Sequence, residues 1–109
     1  MTNTEKDLLL NRMVESLPVL RKQAGLTQSE LAALIGVSKF TILAIEKQQR
    51  LLSWNTFLSL VLVFSKNPQT EKMLDFFEIY TNNFNQMMRS SGKDYPEPKK
   101  EMELEKRGE

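Results

Sequence analysis

The sequence predicts an all-α protein: a compact bundle of about five short helices, followed by a C-terminal amphipathic helix and a disordered, charged tail. Three observations carry this. Apolar residues recur at spacings of three and four in successive stretches up to Met88, which is the helical period. Residues that favour helix starts, Thr27, Ser38 and Ser53, stand just ahead of those stretches. Pro18, Gly25, Gly36 and Asn67-Pro68 punctuate them. The expected organisation is a helical domain over 1–67, an amphipathic helix over 68–90 for packing or dimerisation, and a tail over 91–109.

The first helix is expected from about Glu5 to Glu15, with Leu9, Leu10, Met13 and Val14 on one stripe that Leu17 continues. Proline has no N–H to donate and clashes inside a helix, so Pro18 predicts a break, with Ser16 as a cap. A second helix through Val19–Ala24 then buries Leu20 and Ala24 and ends at Gly25. Thr27 and Glu30 form a capping box for a helix over Gln28–Ile35. Gly36 supplies the left-handed backbone of a sharp turn. Ser38 caps the next helix, Lys39–Lys47, whose Ile42 and Ile45 face the core.

Lys47–Arg50 reads as a polar connection. Ser53 caps a broadly apolar helix from Trp54 to Ser65, which Asn67-Pro68 ends. A last helix is expected from Gln69 or Thr70 to Met88, with Met73, Phe76, Phe77, Tyr80, Phe84 and Met87 on its apolar face. That face is wider than one side of a small bundle covers, so Phe76, Phe77, Tyr80 and Phe84 are expected at a homodimer interface. Ser90-Ser91-Gly92 closes the helix. The charged stretch from Lys93 to Glu109, with Pro96 and Pro98, reads as disordered apart from a short Lys/Glu-rich turn near Lys99–Lys106.

The most specific pattern lies in 28–47. Counting Gln28 as position one, Ala32 is fifth, Gly36 ninth, Ile42 fifteenth and Ile45 eighteenth. A helix-turn-helix needs a small residue at the fifth position for close approach, a turn at the ninth, and packing residues at the other two. Leu31, Ile35 and Val37 are apolar as well, so every structural slot is filled.

On these residues the sequence resembles the Cro and lambda-repressor-like, or XRE-type, regulators of bacteria and phages. The resemblance rests on Leu20-Arg21-Lys22-Gln23-Ala24-Gly25-Leu26-Thr27-Gln28, Glu30-Leu31-Ala32, Gly36-Val37-Ser38, Thr41-Ile42 and Ile45-Glu46, and covers about 19–65. It implies double-stranded DNA as the partner. By position, Gln28 resembles a glutamine that contacts a DNA phosphate, and Ser38, Thr41 and Lys47 fall where polar groups meet the backbone. Lys39, Phe40, Leu43 and Ala44 occupy the face that enters the major groove. Arg21 and Glu46 resemble a partly buried pair that ties the reading helix in place.

One departure stands out. Base edges are usually read by Arg, Lys, Asn or Gln, and here only Lys39 is of that kind. Phe40, Leu43 and Ala44 leave contact with thymine methyls, readout of DNA shape, or use of the same face as a protein-binding surface, as in an antitoxin or regulatory partner.

Composition narrows the remaining classes. The chain has no cysteine and no histidine, so disulfides, thiolate metal sites and imidazole catalysis are excluded, and no enzyme activity, metal or cofactor is expected. Residues 1–70 carry eight basic and five acidic side chains, net +3, and residues 71–109 carry seven and nine, net −2. The positive excess lies on the half that bears the motif. The longest apolar run, Leu60–Phe64, is far too short to span a membrane, and the N-terminus is not a secretory signal, so a cytoplasmic location is expected.

Overall fold

The computed structural model describes residues 1–90, and these form six helices with no strand among them: α1 Asn3–Gln23, α2 Gln28–Ile35, α3 Lys39–Glu46, α4 Trp54–Ser65, α5 Pro68–Phe76 and α6 Asn82–Ser90. The all-α architecture is as the sequence predicts. The expected tail, 91–109, and the turn near 99–106 lie outside the described residues.

The long α1 is the spine. It packs against α3, α4 and α5, while α2 packs on α3 and α4, and α5 on α4. One core cluster runs from Leu9, Met13, Leu17 and Leu20 of α1, through Leu31, Ile42, Ile45, Phe57, Leu60 and Phe64, to Leu74, Ile79 and Phe84.

Two expectations are corrected. The first is the break at Pro18: α1 is continuous through it, and Ser16, expected as a cap, sits inside the helix at 7% exposure. The stripe Leu9, Met13, Leu17 and Leu20 keeps its helical register across the proline, and all four are buried. A proline inside a helix costs about 3 kcal/mol. Burying a leucine is worth about 1.5–3 kcal/mol, so Leu17 and Leu20 together offset that cost.

The second is the single C-terminal helix, which is two helices. Between α5 and α6 the chain turns at Glu78, in left-handed conformation at φ 61°. The Ile79 N–H reaches back to the Leu74 carbonyl and the Glu78 N–H to that of Asp75, which is how a Schellman ending satisfies the last carbonyls of a helix. Thr81 then caps α6, its hydroxyl accepting from the Phe84 N–H. The aromatic spacing suited one helix. The break is driven by Ile79, fully buried, and by Thr81-Asn82-Asn83, residues that favour helix starts over interiors.

The other boundaries follow the sequence signals. Thr27 and Glu30 make the capping box, Ser38 accepts from the Thr41 N–H, and Ser53 from the Thr56 N–H. Gly25 and Gly36 are left-handed at φ 74° and 80°. Asn67 caps α5 with Pro68 in its first turn, and the buried Thr70 hydroxyl donates to the Phe64 carbonyl at 2.6 Å, closing the α4–α5 corner.

Candidate nucleic-acid interface

Between α2 and α3 the chain turns through 114°, within the range of helix-turn-helix pairs. Gly36 makes the turn, and its neighbour Val37 packs against the core while donating to the Ala32 carbonyl at 3.0 Å. Ile42 and Ile45 bury the inner side of α3. Its outer side carries Lys39 and Phe40, both exposed, with Leu43 and Ala44 partly so.

The angle of α3 is fixed by a polar network at its C-terminal end. Arg21 Nε donates to Glu46 Oε2 at 2.7 Å and Arg21 Nη2 to Glu46 Oε1 at 3.2 Å, a bidentate pair. The Arg21 and Glu46 side chains are 11% and 7% exposed. Arg21 Nη1 donates to the Leu26 carbonyl, and Gln28 Nε2 donates to Glu46 Oε1 at 3.0 Å. Burial pushes the Glu46 carboxyl up, but the hydrogen bonds from Arg21 and Gln28 and the charges of Arg21 and Lys22 outweigh it, leaving Glu46 below the usual carboxylate range. Glu46 is therefore ionised at neutral pH, with its charge balanced by Arg21.

The expected contact residues fall into two groups. Gln28 and Lys39 come together with Arg21, Thr27 and Ser29 around one shallow polar depression at the start of α2. One of the two Gln28 amide hydrogens is engaged by Glu46, leaving the other for a ligand. Phe40, Leu43 and Ala44 lie along α3. Ser38 and Thr41 are linked, with their hydroxyls 3.1 Å apart. Lys47 follows α3 and is exposed. Sequence reasoning does not single out Thr27 and Ser29 as neighbours of this depression, because Thr27 reads first as a helix cap and Ser29 as an ordinary residue of the first turn.

The four aromatics expected at a dimer interface do not share one face. Phe84 is 2% exposed within this chain, its ring edge-on to Phe57 and Trp54. Phe76 is 80% exposed, in edge contact with the half-buried Phe77. Tyr80 is half-buried, and burial together with Glu71 pushes its phenol up.

A family model described as a helix-turn-helix matches residues 20–68, under half of the chain. This segment is an XRE-type, lambda-repressor-like helix-turn-helix domain. The family is one of DNA-binding domains rather than of enzymes. No curated protein and no solved structure matches the chain. Among the described residues, no group of acidic side chains is arranged to hold a metal ion, and no single helix is long and apolar enough to cross a membrane.

Proposed function

We propose that this protein is a sequence-specific, DNA-binding transcriptional regulator of the bacterial or phage type, working in the cytoplasm as a homodimer. Each copy places its recognition helix, about 39–47, in one of two successive major grooves roughly 34 Å apart. The observation that carries this reading is the outer side of α3: exposed from Lys39, flanked by the polar depression at Gln28, and held at its angle by the Arg21–Glu46 pair. In this reading Gln28, Ser38, Thr41 and Lys47 meet the DNA backbone, and Lys39, Phe40, Leu43 and Ala44 face the bases. Phe76 and the exposed Leu62 and Met88 offer apolar surface for a second copy.

Selection from a pool of random duplex DNA, confirmed by gel shift at two salt concentrations, tests this. A palindromic site should be enriched, and a pool that stays unenriched would overturn the reading. Lys39→Ala should weaken binding with no change in thermal stability, because Lys39 is exposed. Gln28→Ala should weaken binding and cost about 1 kcal/mol of stability, because it also removes the bond to Glu46.

A second reading is favoured by the apolar side chains on α3: a protein-interaction module of the same fold, such as an antitoxin or a regulatory partner. It predicts that Phe40→Glu abolishes a protein complex formed by a chain that binds no DNA.

A further inference from the structure

The three apolar side chains on the outer side of α3 lie outside the core cluster: Phe40 is exposed, and Leu43 and Ala44 are partly so. Ile42 and Ile45 supply the whole contribution of α3 to the core, and neither Phe40, Leu43 nor Ala44 is packed against it. Phe40 is 75% exposed, in the first turn of the helix. Leu43 and Ala44 stand three and four positions on, so the three share one helical stripe. Leaving a phenylalanine in water is unfavourable, and its presence points to a surface that it covers when the helix is engaged.

What surrounds the stripe favours a polyanion over an apolar protein partner. Lys39 and Lys47 stand at its two ends, both exposed, and Arg50 is exposed in the connection that follows. The one acid on α3, Glu46, is turned away into its pair with Arg21. The stripe is thus apolar within a cationic frame, the complement of a major-groove floor between two rows of phosphates.

On that floor the apolar feature is the C5-methyl of thymine. We propose that Phe40, with Leu43 and Ala44 beside it, reads its site through thymine methyl groups, and that Phe40 is the main specificity-determining side chain. The inference rests on the DNA-binding reading above and deepens it. Of the four side chains that face the bases, Lys39 is then the one that can hydrogen-bond a base edge, and the remaining discrimination is apolar.

The test uses the DNA site that the full chain selects, with each thymine in turn replaced by deoxyuridine, which keeps the base pair and removes only the methyl. Losing a contacted methyl should weaken binding by about three- to tenfold at one or two discrete positions in each half-site. Phe40→Ala, a change at an exposed position, should fold normally and bind the thymine and uracil forms alike. Equal affinity of the unaltered protein for both forms overturns the proposal while leaving DNA binding intact. Sensitivity to uracil that persists undiminished in Phe40→Ala also overturns it, because the methyl effect then does not pass through Phe40. Failure of the unaltered protein to bind any duplex overturns both this proposal and the reading beneath it, and complex formation with a protein through Phe40 would then take their place.

Discussion

The helix pairs α2–α3 and α5–α6 solve the same problem with different residues. In each, a short helix ends on a left-handed residue, and the next residue is apolar and turned inward: Gly36-Val37 in the first pair, Glu78-Ile79 in the second. Each is tied to α1 by an arginine. Arg21 holds Glu46 in a buried bidentate pair, whereas Arg12 holds the Glu78 carbonyl at 2.9 Å and its carboxylate at 3.2 Å in the open. The first pair uses glycine, which adopts the left-handed region freely, and the second uses glutamate, which does so only under constraint from its neighbours. The pair that carries the candidate interface is therefore the one with the unstrained turn and the buried anchor. A reading helix has to keep its angle when it is loaded.

The largest test of this comparison is Ile79→Ala. Ile79 is fully buried in the cluster that also contains Ile42, and its truncation should cost about 2–5 kcal/mol. Urea unfolding should remain a single transition at lower midpoint. Two transitions would mean that α5–α6 folds apart from α2–α3.

Next comes Glu46→Gln, which leaves Arg21 buried without a counter-charge and should cost about 1–3 kcal/mol at pH 7. Because the carboxyl of Glu46 is held below its ordinary value of 4.5, its contribution is fully present above that pH and is lost as pH falls through the lower folded-state value. The gap in stability between the wild type and the variant should therefore close in acid. A gap constant down to pH 3 would show that the charge is not what matters. Arg12→Ala, at the exposed counterpart, should cost less than about 1 kcal/mol.

Substitutions at the two turns should have effects of opposite sign. Gly36→Ala should lose about 1–2 kcal/mol, although there is space for a Cβ, because φ is +80°. Glu78→Gly should gain about 0.5–1 kcal/mol in thermal denaturation, because the backbone strain it relieves exceeds the exposed ion pair it removes. Equal signs for the two would erase the distinction between the turns.

The same contrast explains what could be read in advance. Every slot of α2–α3 had a signal with one meaning: Thr27-Glu30, Ala32, Gly36, Ser38. Glu78 itself carried none, because its left-handed conformation is imposed by burying Ile79, a tertiary effect, and the one local signal for the break was the helix start at Thr81-Asn82-Asn83. Gln48, left-handed at φ 58° in the α3–α4 connection, carried no local signal either. Pro18 carried a strong local signal that the packing of α1 overrode. At the interface, residue types and their places on α3 were legible. The bond from Gln28 to Glu46 was not, because it joins positions eighteen apart through a geometry that spacing alone leaves open.

The measurement that bears most directly on the central claim is the affinity of the full chain for its selected duplex across a series of salt concentrations. The account predicts that the logarithm of the binding constant falls linearly with the logarithm of salt, as phosphate contacts release counterions. It also predicts that Lys39→Ala weakens binding without unfolding the domain. No binding at low salt, or an affinity that salt leaves unchanged, would contradict it.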